Sequence, residues 1–317
     1  MYNSKEIGDP GKRGGEREEE GRKGQMEQRQ ELLARINQTG RRLSKGQKRI
    51  AEYIVNHYDK AAFMTASKLG DKVQVSESTV VRFAIALGYD GYPALQKALQ
   101  EMIRNRLTAV QRIEVAKEQI DRGNILDAVL SADMDKLRST IDEVSKEDFN
   151  RAVDAILKAE TVYIVGMRSS TSLASFLGFY LNLLLDNVRL IHDTSVSEVY
   201  EQVFRIHEGD VFLGISFPRY SNRTIDALDF ARGKGATIIA ITDSVSSPIA
   251  EKAEHALIAR SDMAGFADSL VAPLSLINAI IVACSLRRRE QVSNTLSQLE
   301  GIWGSHGVYV TKESGRE

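Results

Sequence analysis

The chain has 317 residues, of which 43% are hydrophobic and 27% charged, and its net charge is −1. This length suits two ordinary domains and a connector. A single cysteine, Cys284, excludes a disulfide framework and fits a reducing compartment. No uncharged apolar stretch reaches the roughly 18–20 residues of a membrane helix, and the N-terminus is polar and charged. We therefore expect a cytoplasmic protein with no membrane partner.

Charge is distributed unevenly along the chain. Between Arg35 and Arg106 there are 13 basic and 6 acidic residues, which gives a net charge of +7 and leaves −8 for the remainder. A basic front half and an acidic remainder indicate that the front binds a polyanion such as nucleic acid. A chance bias on solvated helices is the alternative.

Composition divides the chain into five predicted segments. Residues 1–25 are almost free of apolar side chains and predict a disordered tail, with Met26 as a second candidate for the natural start. Residues 26–106 have helical periodicity and predict a DNA-binding domain. Residues 107–130 predict a helical linker, 131–290 an α/β domain and 291–317 a C-terminal tail.

Residues 64–95 predict two short helices joined by a tight turn. Thr65 and Ser76 are suited to cap the two helices, and Gly88 to end the second. The spacing of apolar residues on the second helix predicts an inward face of Val80, Phe83, Ala84 and Leu87. The opposite face carries Ser78, Val81, Arg82 and Ile85.

Two such helices with an exposed polar face are typical of a helix-turn-helix. We expect Ser78 and Arg82 to contact base edges, and Thr79, Lys68 and Lys72 to contact phosphates. The full predicted DNA-binding set is Lys68, Lys72, Ser76, Glu77, Ser78, Thr79, Val81 and Arg82. An ordinary helical hairpin with a polar outer face is the alternative.

Residues 43–101 resemble the N-terminal domain of the RpiR family of bacterial regulators. The matching runs are QKRIAEYI, FMTAS, VSESTVVRFA and LGYDGYP. The resemblance implies a winged-helix-like or extended helix-turn-helix fold that binds operator double-stranded DNA as a dimer. Gln74 stands at a turn position that is usually Gly, and a left-handed backbone there would cost on the order of 1 kcal/mol.

Five short β-rich runs then alternate with amphipathic helical stretches, at residues 161–165, 188–191, 210–216, 236–242 and 255–259. This alternation predicts a parallel sheet covered on both faces. The predicted fold class is therefore two-domain, with an all-α helix-turn-helix domain followed by a three-layer α/β domain.

Hydroxyl-rich loops follow the first and third strands, at residues 166–170 and 216–222. In a parallel sheet such loops meet at the carboxyl edge, where helix N-termini favour an anion. Simple helix capping by the serines is the alternative. The predicted ligand set is Gly166, Arg168, Ser169, Ser170, Ser216, Arg219, Ser221 and Ser247.

Residues 131–286 resemble the sugar isomerase (SIS) domain, through the runs VYIVGMRSS, DVFLGISFPRYSNRTIDAL and ATIIAITDSVSSPIA. The resemblance implies a flavodoxin-like fold that binds phosphosugars. In each family loop an arginine replaces a glycine, Arg168 in the first and Arg219 in the second. Our hypothesis is that both add charge-assisted contacts to a phosphate or carboxylate. The alternative is that they point outward or pair with Asp243 or Asp262.

These patterns together predict a transcriptional regulator, a homodimer or tetramer, whose operator affinity is modulated by a phosphosugar effector. The first alternative is an aldose–ketose isomerase, whose candidate general bases are His192, Glu198, His207 and Asp243. The second alternative is a structural dimerisation module. The sequence carries no metal-binding or nucleotide-binding motif, so no metal, cofactor or catalytic residue is expected.

Overall fold

The computed structural model describes residues 35–36, 43–103, 110, 112–113, 124–192, 195–262 and 267–310. The chain divides into two compact units, residues 1–119 and 120–317. The division falls inside the segment that the sequence predicts to be a linker. The predicted tail at residues 1–25 and the candidate start at Met26 lie outside the described residues.

The N-terminal unit is helical in the part that the structure describes. Its helices are α1 (Lys45–Asn56), α2 (Tyr58–Ala61), α3 (Ala66–Val73), α4 (Glu77–Ala86) and α5 (Tyr92–Ile103). Ser44 and Gln47 form a capping box at the start of α1, which satisfies backbone donors that the first turn leaves unpaired. The core of the unit is built from fully buried apolar side chains, including Ile50, Ile54, Leu69, Val80, Phe83, Leu95 and Leu99.

Tyr92, the first residue of α5, is hydrogen-bonded to the chain between α2 and α3. Its hydroxyl donates to the Met64 carbonyl oxygen at 2.7 Å. Burial raises the pKa of Tyr92 to about 12, so the phenol stays protonated and able to donate at physiological pH.

The C-terminal unit alternates helices and strands. Its helices are α6 (Ile125–Glu143), α7 (Lys146–Lys158), α8 (Thr171–Leu184), α9 (Val196–Val203), α10 (Asn222–Gly233), α11 (Val271–Arg287) and α12 (Arg289–Ser305). Its strands are β1 (Val162–Gly166), β2 (Val188–Ile191), β3 (Val211–Ile215), β4 (Thr237–Thr242) and β5 (His255–Ile258). All five strands were predicted from the sequence, to within two residues at each end.

The strands form one parallel sheet in the order β2-β1-β3-β4-β5, with Gly166 of β1 opposite Ile215 of β3. Both faces of the sheet are buried, as the continuous apolar runs predict. One core includes Ile164, Leu177 and Ile280. The other includes Val165, Val203 and Leu228 on the opposite face. The predicted fold class is therefore confirmed.

The predicted C-terminal tail is helical as far as Ser305. A stripe of apolar residues at helical spacing explains the difference: Val292 is buried, and Leu296, Leu299 and Trp303 are half-buried on the same side of α12. Glycines at 301 and 304 suggested a loose segment, but packing of this stripe outweighs their low helix propensity. Residues 311–317 lie outside the described residues.

No single helix among the described residues is long and apolar enough to span a membrane. The helices α11 and α12 together have that length and composition, but the chain bends by 99° between them. Cys284 lies in α11 and is fully buried, and desolvation raises the pKa of its thiol to about 11.

Gly70 in α3 allows the chain after the helix to fold back tightly. A Cβ at residue 70 would lie 2.7 Å from the Val75 carbonyl oxygen. We therefore expect Gly70→Ala to destabilise the N-terminal unit by roughly 1–3 kcal/mol, measured by urea unfolding.

The matched control is Gly301→Ala in α12, where nothing lies within 4 Å of the added Cβ. It should stabilise the protein by up to about 1 kcal/mol, the ordinary helix-propensity gain. Equal gains for both variants would show that the close approach at Gly70 is not a constraint.

Candidate functional site

A left-handed residue joins α3 to α4. Gln74 has φ 54° and ψ 54°. The turn is therefore left-handed at this residue, although glutamine stands where the family usually has glycine. The Gln74 amide donates to the Asp71 carbonyl at 3.2 Å, and the Val75 amide to the Gly70 carbonyl at 2.9 Å. This pair of bonds ends α3 and reverses the chain before α4 begins.

The predicted inward face of α4 is confirmed. Val80, Phe83 and Ala84 are fully buried and Leu87 is 4% exposed. Ser78, Arg82 and Ile85 are exposed on the opposite side, and Val81 is half-buried. The helix therefore presents Ser78, Arg82 and the apolar Ile85 to solvent.

Ser76 is the residue before α4, the N-cap position predicted for it. Its side chain, however, does not accept a hydrogen bond from a backbone amide of the helix. Its Oγ instead lies 3.0 Å from Ser78 Oγ and 2.9 Å from Thr79 Oγ1. Arg82 folds back over the same group, and its Nε donates to the Ser78 carbonyl at 3.2 Å. Hydroxyls and a guanidinium are thus gathered at the N-terminal end of α4, where the helix dipole favours a phosphate.

The remaining predicted DNA-binding residues, Lys68, Lys72 and Glu77, are also exposed. Sequence reasoning missed the start of α1, which lies against the turn: a Cβ on Gly46 would be 3.2 Å from Val75 Cγ1. Arg49 Nη2 donates to the Gln74 carbonyl at 2.9 Å. The exposed basic side chains of this helix are Lys45, Lys48 and Arg49. The sequence shows that these residues contribute to the basic excess of the N-terminal segment. Their position beside the turn becomes apparent only in the fold.

The carboxyl edge of the sheet brings the predicted ligand loops together. The chain leaves β1 toward β2 and leaves β3 toward β4, so the strand order reverses between β1 and β3. The helices after these strands consequently cover opposite faces of the sheet, and the space between two such loops is the crevice in which an open parallel sheet usually binds a ligand.

The first loop is closed tightly by Gly166. A Cβ at this residue would lie 2.5 Å from the Ser170 carbonyl oxygen and 2.9 Å from Ala174 Cβ. Thr171, which sequence reasoning missed, donates from Oγ1 to the Gly166 carbonyl at 2.9 Å. Ser169 is exposed in this loop, whereas Ser170 is buried.

The second loop is held at both ends. The Ser221 amide donates to the Ser216 hydroxyl oxygen at 3.3 Å, inside the loop. Tyr220 donates from its hydroxyl to Asp243 Oδ1 at 2.9 Å, which ties the loop to the end of β4. Asp243 is 1% exposed and also accepts from Thr242 Oγ1 at 3.2 Å.

Arg168 and Arg219 both have a left-handed backbone, with φ values of 56° and 67°. Both residues are exposed. Among the described residues, Gln74, Arg168 and Arg219 are the three with positive φ that are not glycine. They are the same three positions at which the family motifs have glycine.

Ser247 follows β4 at the same edge, but its hydroxyl accepts from the Ala250 amide at 3.2 Å and is fully buried. A network that the sequence did not reveal lies at the end of β5. Asp133 accepts from Ser269 Oγ at 2.7 Å and pairs with the buried Lys136 at 3.2 Å. The bond between Ser269 and Asp133 joins residues far apart in sequence, so no local signal predicts it.

The four candidate general bases are not gathered in one place. His207 precedes β3 and lies at the amino edge of the sheet, opposite the loops. The Glu208 carbonyl and then the Asp210 carboxylate raise the pKa of this exposed histidine. His192 follows β2 and Glu198 lies on α9, and both are exposed. Asp243 alone of the four lies at the carboxyl end of a central strand.

A helix-turn-helix unit followed by an α/β unit with anion-favouring loops defines a class of ligand-responsive transcriptional regulators. Family models agree: the rpiR-family helix-turn-helix domain matches residues 30–106, and the SIS domain matches residues 155–283. The chain belongs to the rpiR family of transcriptional regulators.

Curated relatives are regulators of the same kind. The regulator HexR of Escherichia coli K12 is 25% identical over 280 residues, which cover 85% of this chain and 93% of HexR. An uncharacterised helix-turn-helix regulator of Haemophilus influenzae is 24% identical over 237 residues, covering 72% of this chain and 79% of that protein.

Two solved structures share the fold. The sugar isomerase domain of an RpiR transcription factor from Sphaerobacter thermophilus is 29% identical, with a TM-score of 0.52, and covers 54% of this chain and 96% of that domain. Vibrio vulnificus NanR, solved with ManNAc-6P, is 20% identical with a TM-score of 0.54, and covers 88% of this chain and all of that chain.

The left-handed Gln74 leads to a stability prediction. We expect Gln74→Gly to stabilise the N-terminal unit by on the order of 0.5–1 kcal/mol, because relief of the left-handed strain exceeds the entropy that glycine adds to the unfolded chain. Urea unfolding measures the gain. The control Gln47→Gly, inside α1, should lose about 1 kcal/mol or more. A loss for both variants would contradict the strain at Gln74.

Proposed function

We propose that this regulator reads operator DNA with the exposed face of α4 and adjusts its operator affinity when a phosphosugar occupies the carboxyl edge of its sheet. The observation that supports the DNA part is the division of α4 into a fully buried apolar face and an exposed face of Ser78 and Arg82. Arg82 is the side chain suited to a base edge, since its planar fork can donate two bonds to guanine.

Phosphate contacts are assigned to the residues around the N-terminal end of α4. Thr79, Lys68 and Lys72 were predicted for this role, and the position of Arg49 beside the turn adds it to the group. Such contacts set the orientation of the protein on the duplex and carry no sequence information. A DNA target also supports the predicted cytoplasmic location.

The effector part is supported by the crevice between the loops after β1 and β3. Ser169 offers an exposed hydroxyl at this edge, whereas Ser216 is buried and accepts from the Ser221 amide. The helices α8 and α10 begin directly after the two loops, so free amides and the helix dipoles favour an anionic group. The ManNAc-6P bound to NanR supports a phosphorylated sugar as the class of ligand.

A homodimer or tetramer couples effector binding in the C-terminal unit to DNA binding by the N-terminal unit. On α6, four exposed apolar side chains follow at spacings of four, four and seven residues, namely Leu126, Leu130, Met134 and Ile141. This stripe supports self-association, and a two-fold protein matches operator half-sites about 34 Å apart or a multiple of that distance. Effector binding that changes the subunit arrangement then changes the fit of two α4 helices to the half-sites.

Enzymatic turnover is not part of the proposal. Isomerisation needs a general base beside the reacting carbons, and of the four candidates His207 lies at the opposite edge of the sheet. A coupled assay for interconversion of glucose-6-phosphate and fructose-6-phosphate by the full chain should give no rate above background. Measurable turnover would replace the regulatory role with a catalytic one.

The base-reading prediction concerns Arg82. Operator sequences can be selected from a random DNA library with the full chain, and binding followed by fluorescence anisotropy. Arg82→Ala should weaken operator binding by about 10- to 100-fold and relax preference at one base position, the loss of one bidentate base contact.

Two controls separate base reading from charge. Lys72→Ala should weaken binding similarly for all DNA sequences. It should also reduce the slope of log affinity against log salt concentration by about one. Lys97→Ala, an exposed cation on α5 outside the turn, should change operator affinity less than either. If Arg82→Ala together with Ser78→Ala leaves affinity and preference intact, α4 is not the reading helix.

The effector prediction is a change in melting temperature. Millimolar ManNAc-6P, glucose-6-phosphate or fructose-6-phosphate should raise the melting temperature of the full chain, because a ligand that binds the folded state stabilises it. The unphosphorylated sugars serve as controls. No shift with any phosphosugar would favour a purely structural dimerisation module.

A further inference from the structure

Ile85 is an apolar side chain exposed to solvent in the middle of the outer face of α4. It is 55% exposed. Among residues 43–103 whose side chains the structure describes, Ile85 is the one large apolar residue that is exposed, since the others are buried or half-buried. The N-terminal unit thus hides its large apolar side chains with this exception.

Helical geometry places Ile85 in line with the two residues proposed to contact bases. Successive residues of a helix turn by about 100° and rise by about 1.5 Å. Ile85 follows Ser78 by seven residues, so the two point in directions that differ by only about 20°. Arg82 lies between them on the same side. Ser78, Arg82 and Ile85 therefore form the centre of the face opposite the buried one.

The helix itself does not favour isoleucine at this position. A branched side chain loses rotamers in a helix, so isoleucine is a poorer helix former than alanine. With more than half of its surface in solvent, Ile85 also adds less to the core than a buried residue does. The outer face of a surface helix ordinarily carries polar or charged side chains. The apolar surface of Ile85 is therefore available to a partner of this face.

Thymine is the base whose chemistry matches this side chain. In the major groove thymine presents a 5-methyl group, and apolar side chains contact it there. Ile85 lies about 4.5 Å beyond Arg82 along the helix axis, and successive bases on a strand are about 3.4 Å apart. A helix that brings Arg82 to a guanine consequently brings Ile85 to a neighbouring base pair.

We propose that Ile85 is a specificity-determining residue, whose side chain packs against the 5-methyl group of a thymine next to the guanine that Arg82 contacts. This inference rests on the proposed function, because it takes α4 as the helix that contacts bases. It adds one more base to the operator, a thymine on either strand at a base pair adjacent to that guanine.

Replacement of single operator thymines by deoxyuridine tests the proposal, because uracil differs from thymine only in lacking the 5-methyl group. Binding of the full chain to the operator selected from the random library is measured by fluorescence anisotropy. The position whose preference Arg82→Ala relaxes identifies the guanine. At one thymine beside it, deoxyuridine should weaken binding about three- to five-fold, as expected for the loss of one buried methyl group.

Variants at Ile85 connect that loss to this side chain. Ile85→Ala should weaken binding to the thymine operator by about five-fold and should no longer distinguish thymine from deoxyuridine at that position. Ile85→Val keeps most of the branched surface and should retain part of the distinction. Val308→Ala is the matched control, because Val308 is also 55% exposed but lies in the C-terminal unit, and it should retain the distinction in full.

Melting without DNA checks that Ile85 has no structural role. Ile85→Ala should melt within about 2 °C of the parent, since the gain in helix propensity offsets the small loss of packing. A larger decrease, or dissociation of the oligomer together with equal weakening of the thymine and deoxyuridine operators, would assign Ile85 to packing or to a protein interface and overturn the proposal.

The remaining outcomes separate this inference from the proposed function. An operator with no thymine beside that guanine, or with no methyl-sensitive thymine there, contradicts the role of Ile85 while the effect of Arg82→Ala still supports α4 as the reading helix. If deoxyuridine weakens binding of Ile85→Ala as much as that of the parent, another residue contacts the methyl group and the proposal fails. If neither Arg82→Ala nor deoxyuridine changes binding, the proposed function of α4 itself fails.

Discussion

The pairing of β1 with β3 is the constraint on which the C-terminal unit depends. These neighbours send their chains in opposite directions along the sheet, and the following helices cover opposite faces. The position of the crevice between the two loops is therefore a consequence of strand order. The residues then decide its chemistry: glycine at 166 allows α8 to begin close to the strand, and Tyr220 bonded to Asp243 anchors the second loop to β4.

In the N-terminal unit, a turn of three residues joins α3 to α4. A close approach between Gly70 and Val75 lets α4 begin immediately after α3. The price of this compactness is a left-handed Gln74, whose carbonyl is in turn held by Arg49. The turn and the start of α1 are thereby joined, so the basic residues of α1 belong to the same surface as the exposed face of α4.

Periodicity and strand–helix alternation were enough to predict the inner face of α4, the five strands and the edge at which the loops meet. These features follow from local patterns, in which each buried residue repeats at the spacing of its element. Replacement of glycine raised the question of backbone conformation at Gln74, and the same comparison identified Arg168 and Arg219. All three residues are left-handed in the structure.

The features that sequence reasoning did not find depend on contacts between distant residues or on competition between neighbours. The Ser76 hydroxyl bonds to the hydroxyls of Ser78 and Thr79, at 3.0 and 2.9 Å, and these bonds replace the expected bond to a backbone amide. The bond from Ser269 to Asp133 joins the chain before α11 to α6, which no local pattern reveals. The stripe on α12 was present in the sequence, but the nearby glycines obscured it.

Burial of the one thiol in this chain limits the signals to which the regulator can respond. Peroxide reacts with thiolates at accessible sites, whereas Cys284 is sealed in α11 and held protonated at physiological pH. Peroxide therefore meets no accessible thiolate at Cys284, the one cysteine of this regulator.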